Sequence, residues 1–404
     1  MSVSNFPDAN LKMGVPKTTI EIERELLLWL RDTPYACSSL ETLSGGSSNF
    51  VFRARLFRSL REGTRDVVIK HGEGHMAVAP ESKISIDRIQ IETECLRLLA
   101  SFQFTLHHER ALQFIIKTPR CYLYHERTNN QILEYIPGAI NLKQYSLKNF
   151  LSPTAESLRS KCHWLGKALA QYITAFHNGV PQGLKERKFL ATLQLNQDMQ
   201  NLKHMINYDW LLQRIEDFPH ILNGARDIFV QVKEMAQKEL ENSSPRLVPI
   251  HGDFWTGNVL LEDVPLDGEK ETAIFVVDWE MAQLGVPALD HGEMIGEMYA
   301  LWLYKQIDAG LWMMQGYAEG LGEQTESRAW RTILQVGCHL LSFGTISPGW
   351  GTSEQIEKVA TLGKEIIVNS WRKDYEWIHN SELACLFAHV QHSLETVGEA
   401  RAPI

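Results

Sequence analysis

Three residues with the spacing H-x-D-x-x-x-x-N, His251, Asp253 and Asn258, follow an apolar run from Leu247 to Ile250. A second apolar run, Ile274 to Val277, then ends in Asp278, with Trp279 and Glu280 next. Moving a phosphoryl group onto an alcohol needs a carboxylate that orients the hydroxyl and receives its proton. It also needs oxygen ligands for the cation on the nucleotide phosphates. Asp253 is the candidate for the first task, and His251 orients the loop by hydrogen bonding. Asn258 offers a neutral carbonyl oxygen and Asp278 a carboxylate to Mg²⁺. A carboxylate at the end of a buried strand is costly unless a cation answers it. In an extended chain Glu280 points the same way as Asp278, so it either reaches a second metal or the acceptor, or forms a structural salt bridge.

The nucleotide needs its own cradle. Gly45, Gly46, Ser47, Ser48 and Asn49 lie between two strand-like runs. The glycines let the backbone approach phosphates, and Ser and Asn can donate to their oxygens. Lys70 closes the apolar run Val67–Ile69 and stands where a V-A-I-K lysine holds the α- and β-phosphates. Its partner should be a glutamate on the next helix. Glu92 is chosen over Glu94, because the two lie about 200° apart around a helix and cannot both face Lys70. Residues 131–137 form the expected hinge. There the Glu134 carbonyl and Ile136 amide would read adenine, and Ile132 would line the back of the pocket.

These groups must be held by a definite order of elements. Residues 18–31 carry a helical rhythm, and period-two patterns follow at 43–56, 66–70, 120–124 and 131–135, interrupted by a helix at 86–102. Beyond about 154 the pattern is mainly helical, near 158–177, 209–216, 225–240, 290–318, 326–342, 353–371 and 381–397. The exception is a hairpin, 259–262 with 273–277, turning at Asp267-Gly268. This predicts an α+β, protein-kinase-like bilobal fold. It has a loose arm (1–17), a five-stranded nucleotide-binding lobe with one main helix (18–136), and a helical lobe with the catalytic loop and acceptor site (137–404). Asp290 opens a helix as an N-cap would and should steady the catalytic loop.

Composition is that of an ordinary globular chain, 44% hydrophobic and 22% charged over 404 residues. A net charge of -9 argues against a nucleic-acid partner. No apolar run of eighteen residues and no leader-like N-terminus argue against a membrane partner and predict a cytoplasmic protein. The six cysteines make no CxxC pair, which predicts reduced, mostly buried thiols.

With H-G-D-x-x-x-x-N at 251–258, D-W-E at 278–280 and Phe176-His177 ending a long helix, the chain resembles the aminoglycoside phosphotransferase and choline kinase superfamily. Asp253–Asn258, Asp278-Trp279-Glu280 and Trp350-Gly351 look closest to the methylthioribose kinase and 4-hydroxytryptamine kinase group. The resemblance implies an ATP- and Mg²⁺-dependent kinase that phosphorylates the hydroxyl of a small molecule. About a dozen residues separate Asp278 from Asp290, too few for a peptide-docking platform, which disfavours a protein acceptor. The rival from another class is a pseudokinase that binds nucleotide without transfer. Eight of the eleven tryptophans follow residue 250. Trp255, inside the catalytic loop, is the candidate acceptor contact. Glu293 and Glu297, one helical turn apart, could attract a cationic acceptor, and an amine-bearing or aromatic alcohol suits such walls.

Overall fold

The computed structural model describes residues 17–43, 46–107, 113–180, 183, 185–241, 247–266, 271–346 and 349–391. Gly45, the turn at Asp267-Gly268 and nearly all of the N-terminal arm lie outside them. Two five-stranded sheets are formed. The first runs β1 (Cys37–Thr42), β2 (Phe50–Leu56), β3 (Asp66–His71), β7 (Asn130–Glu134), β6 (Cys121–His125). The second runs β4 (Phe104–His107), β5 (Gln113–Lys117), β11 (Glu271–Val276), β10 (Val259–Glu262), β8 (Ala139–Asn141). A short pair, β9 (Val248–Ile250) with β12 (Gln283–Gly285), flanks the catalytic loop. The first sheet is the expected five-stranded one, although its first strand ends at Thr42, before the residues the sequence pattern favours.

The helices are α1 (Thr19–Leu30), α2 (Asp87–Leu99), α3 (Leu142–Asn149), α4 (Arg159–His177), α5 (Arg187–Gln194), α6 (Gln197–His204), α7 (Trp210–Asp217), α8 (Pro219–Leu222), α9 (Arg226–Glu241), α10 (Ala288–Lys305), α11 (Asp308–Gly320), α12 (Glu326–Ser342), α13 (Ser353–Arg372) and α14 (Tyr375–His379). Three expectations change. The hairpin β10–β11 is the middle of a sheet, because β5 pairs with β11 in parallel and β8 pairs with β10. The helical stretch 290–318 is two helices, broken where Gln306 adopts a left-handed φ of 54°. Residues 381–391 are not an α-helix but a 3-10 turn, Glu382–Phe387, and a two-residue strand, Val390–Gln391, beside Gln324–Thr325.

Period-two alternation sorts the first sheet into two faces. Phe52, Ile69 and Ile132 share one face and pack with Ile22, Leu26 and Leu30 of α1. Val51, Lys70 and Gln131 are paired on the other face, toward α2. There Gln131 Nε2 donates to Ile89 O (3.1 Å) and Thr93 Oγ1 (2.7 Å). The main core lies lower and is continuous from α2 (Ile91, Cys95, Leu96) through α4 (Leu165, Leu169, Ile173) to α10, α11 and α12. This shared core fixes α2, which carries Glu92, against the lobe that carries Asp253. None of the six cysteines is in a disulfide; four are buried and two partly exposed. Among the described residues no helix is long and apolar enough to cross a membrane.

Candidate active site

The catalytic loop is suspended from one carboxylate. Strand β9 ends just before His251, and the backbone N–H groups of His251 and Gly252 donate to Asp290 Oδ2 (2.8 Å) and Oδ1 (2.9 Å). His177 Nε2 donates to Asp290 Oδ2 as well (2.8 Å). Asp290 therefore steadies the loop but caps nothing, because α10 begins two residues earlier at Ala288. Burial alone would raise its carboxyl, but the hydrogen bonds from His177 and His251 hold it down at about 2. Such a carboxylate stabilises the fold above its unfolded pKa of about 4, and that contribution is lost as pH falls through the folded value. Asp290→Ala leaves three buried donors without an acceptor. It is expected to cost about 3–5 kcal/mol of stability at neutral pH. Thermal unfolding from pH 7 down to 2 checks this, and the deficit should shrink at the acid end.

His251 is fully buried, and burial holds its pKa below the usual imidazole value. Its Nδ1 accepts from Asp253 N (3.2 Å), so Nε2 carries the hydrogen donated to Val277 O (3.0 Å). Gly252 adopts φ +81°, and a Cβ there would lie 2.2 Å from Met281 O. Only glycine lets the loop lie this close to the segment after Asp278. Asn258 Nδ2 donates to Asp253 O (2.9 Å) and Oδ2 (2.8 Å), which orients the Asp253 carboxylate and turns the Asn258 carbonyl oxygen the other way. The Asp253 side chain is 30% exposed in otherwise buried surroundings.

Where the nucleotide is expected, Lys70 Nζ lies 2.7 Å from Glu92 Oε2 and 2.5 Å from Asp278 Oδ1. Glu94 instead pairs with Arg97 on the helix exterior (2.9 Å). Burial works against the Lys70 charge, but Asp278 and Glu92 more than offset it and hold the ammonium well above its ordinary pKa. Asp278 itself has φ +64°, a strained left-handed conformation for a residue with a Cβ. The chain therefore turns into a 3-10 turn, Trp279–Met281, and the extended geometry expected for Glu280 is absent. Trp279 is fully buried between Phe176 (4.9 Å) and His251 (4.4 Å). Glu280 Oε2 accepts from Arg88 Nε (3.1 Å) and Asn49 Nδ2 (2.6 Å), the structural salt bridge among the roles expected of it.

The cradle divides in the same way. Gly46 and Ser47 are exposed and Ser48 half-buried, whereas Asn49 is buried, with Oδ1 and Nδ2 engaged by Arg88 and Glu280. Asn49 is thus an anchor of the turn, not a free phosphate donor. Ile132 also departs from the expected position. It faces α1, and the residues on the Lys70 face are Val51, Val68 and Leu133. Glu134 and Ile136 lie where β7 leaves the sheet. The Glu134 carboxylate accepts from Arg120 N (3.0 Å).

Where the acceptor is expected, the Trp255 indole packs against Gly257, at which a Cβ would meet the ring at 2.3 Å. Phe343 approaches Trp255 edge-on (6.5 Å) and stacks with Trp210 (6.3 Å) and His339 (5.6 Å). The Lys143 ammonium sits 4.1 Å from the Trp350 ring centre and 5.3 Å from that of Trp255. Glu293 and Glu297 border this wall but are buried and paired. Glu297 holds His339 Nε2 (3.1 Å), Thr256 Oγ1 (3.1 Å) and Lys143 (3.5 Å). Glu293 holds Lys203 (2.7 Å). Neither is the open carboxylate that their helical spacing suggested.

Four residues of this site carry no local signal: Arg88, Lys143, Asn196 and Lys203. Arg88 stands one turn before Glu92 on α2, the one hint of a shared face. Asn196 Nδ2 donates to Glu280 O (2.9 Å) and Ala282 O (2.8 Å).

A profile described as the phosphotransferase enzyme family matches residues 39–328. A phosphotransferase (FrzJ) of Cladobotryum sp is 26% identical over 88% of this chain and 93% of its own length. A 4-hydroxytryptamine kinase of Psilocybe cyanescens is 24% identical over 82% of this chain and 87% of its own. The solved choline/ethanolamine kinase family protein of Mesorhizobium loti aligns with 90% of this chain and 98% of its own, at 15% identity and a TM-score of 0.44.

Proposed function

The chain belongs to the phosphotransferase enzyme family and is a small-molecule kinase, and from that premise we propose that it moves the γ-phosphoryl of ATP, with Mg²⁺, to the hydroxyl of an aromatic or amine-bearing alcohol. One observation carries the reading. Lys70, bound to Glu92, reaches Asp278 across 208 residues of sequence at 2.5 Å, and Asp253 stays partly open beside Asn258. This arrangement supports assigning Lys70 to the α- and β-phosphates and Asp253 to the acceptor hydroxyl.

The donor set fits Mg²⁺. Among the described residues no cluster of three or more His, Cys, Asp or Glu is arranged to hold a metal by itself. One carboxylate (Asp278) and one carboxamide oxygen (Asn258) are what a magnesium ion takes from protein when phosphates and waters fill its remaining positions. When bound, it neutralises charge on the β- and γ-phosphates. Asn258 also holds the Asp253 carboxylate through its amide group, so one side chain aligns base and metal site.

The acceptor class rests on the aromatic wall. Trp255 and Phe343 offer faces for a ring. Lys143 places an ammonium against Trp350 with the Glu297 carboxylate 3.5 Å away, an environment that suits a substrate amine equally. Relatives named 4-hydroxytryptamine kinase, whose name describes an aromatic hydroxyl and an amine, support this class. The decisive experiment is transfer from γ-labelled ATP into a metabolite pool and a panel of hydroxylated amines including 4-hydroxytryptamine. Label appearing only on added proteins would overturn the reading. With an acceptor in hand, Trp255→Ala is expected to raise its KM about tenfold, the loss of one aromatic contact, while the KM for ATP stays put. Equal changes in both would remove Trp255 from the acceptor wall.

A further inference from the structure

We propose that Lys203, on α6, is the positioning residue for Asp253, an assignment that rests on the reading of Asp253 as the acceptor-side carboxylate. The Lys203 side chain is 4% exposed, and its Nζ lies between two carboxylates, 2.7 Å from Glu293 Oε2 and 3.8 Å from Asp253 Oδ1. A buried ion pair contributes little net stability over an apolar pair of the same volume, so the pair alone does not account for an ammonium at this place. Its geometry does. The two oxygens of Asp253 are addressed separately. Oδ2 accepts from Asn258 Nδ2 (2.8 Å), and Oδ1 faces the ammonium. The carboxylate is thereby held between a hydrogen bond on the metal side and a charge on the acceptor side.

Helix α6 is built to fix that charge. Asn196, Gln200, Lys203 and Asn207 recur at intervals of four, three and four, a single stripe of the helical surface. Every member of the stripe is engaged. Asn196 Nδ2 bonds the carbonyls of Glu280 and Ala282, and Gln200 Nε2 bonds the Leu284 carbonyl (2.9 Å). Asn207 Nδ2 donates to Lys203 O (2.9 Å), and Asn207 Oδ1 accepts from Gln335 Nε2 (2.8 Å). The helix is therefore stitched to the backbone immediately following Asp278. Lys203 is positioned relative to the metal strand and the catalytic loop together. A π-helical turn, Met205–Asp209, follows at once and sets Asn207 and Tyr208 inward, where Tyr208 Oη donates to Gln335 (2.9 Å). Such turns recur at functional sites because the wider coil re-aims side chains.

The far side of the pair leads to the acceptor wall. Glu293 Oε1 lies 3.9 Å from His339 Nδ1, His339 Nε2 is 3.1 Å from Glu297, and Glu297 is 3.5 Å from Lys143 beside Trp255 and Trp350. Lys203 thus couples the carboxylate that receives the hydroxyl to the wall that holds the rest of the acceptor.

The test compares Lys203→Met, Lys203→Arg and Glu293→Gln, each normalised to the fraction that binds ADP by titration calorimetry. Rates are read with MgATP and 4-hydroxytryptamine, and with MgATP and water as the only acceptor. Lys203→Met is expected to lower kcat by about 10- to 100-fold, the size of a small misplacement of a reacting group, with the KM for ATP within about twofold of wild type. Lys203→Arg should recover most of that loss, and Glu293→Gln should fall between. A purely structural lysine would instead lower the melting temperature and leave kcat per ADP-binding molecule unchanged, which overturns the proposal. A second measurement is independent of turnover. The ¹⁵Nζ signal of Lys203, assigned by its absence in Lys203→Met, should move in Asp253→Asn, and a stationary signal overturns the proposal. Wild-type protein that binds ADP but transfers to no acceptor sinks the functional reading alone, and the ¹⁵Nζ measurement still decides the role of Lys203.

Discussion

Asp253→Asn is expected to lower kcat by about 10³-fold, within the range for removal of a positioned general base, and to leave ADP affinity within about twofold. The separation follows from where the groups sit. Nucleotide contacts are assigned to Lys70, Asp278 and the turn around Gly46, and Lys70 draws its charge balance from Glu92 and Asp278 without Asp253. The amide keeps the size of the carboxylate and can still accept from Asn258 Nδ2, so the loop, which hangs from Asp290, keeps its course. What disappears is an oxygen able to receive the hydroxyl proton and a charge opposite Lys203. Lys203 retains Glu293 at 2.7 Å and does not become an unpaired buried cation. Initial rates with labelled ATP and calorimetry with ADP check both halves. Turnover within about fivefold of wild type would remove Asp253 from the chemistry. A parallel collapse of ADP affinity would mean that the loop had moved.

The catalytic loop was legible in the sequence because its parts are local. His251, Asp253 and Asn258 lie within eight residues, and both His251 and Asn258 bond Asp253 directly. The pairing of Lys70 with Glu92 was legible because strand and helix periodicities each fix a direction. Residues whose environment is assembled from distant segments escaped. Arg88 looks like any surface cation on α2. It is fully buried only because Glu280, Asn49 and the carbonyls of Ser48, Glu73 and Ser85 converge on it. Lys143 and Lys203 are hidden for the same reason. Strands β4 and β5 have four and five residues, and β5 pairs in parallel with β11 over 150 residues later, so no local turn announces them. Ile132 lies one residue away from the expected face, and in a strand one residue is a whole face. The extended chain expected at Glu280 is interrupted by the left-handed φ of Asp278.

Asp278→Asn is expected to abolish the dependence of ATP affinity on Mg²⁺ and to reduce kcat by at least about 10³-fold, since both proposed roles of the carboxylate, metal ligand and partner of Lys70, go together. Asparagine suits the position sterically. It tolerates the left-handed region better than other residues with a Cβ, so φ +64° is retained and the turn Trp279–Met281 persists. Lys70 keeps Glu92 at 2.7 Å, and Arg88 keeps Glu280 at 3.1 Å, so neither buried cation is left alone and folding should survive. Wild-type protein should bind ATP more tightly when Mg²⁺ is added. The variant should give one dissociation constant with and without the ion. Lys70→Met separates the two roles, because it should weaken ATP binding under both conditions while an increment from Mg²⁺ remains. Calorimetric titration of ATP into the three proteins, with Mg²⁺ and with a chelator, reads all of this without an acceptor. An undiminished Mg²⁺ increment in Asp278→Asn would place the metal on other ligands and leave Asp278 as the counter-ion of Lys70 alone.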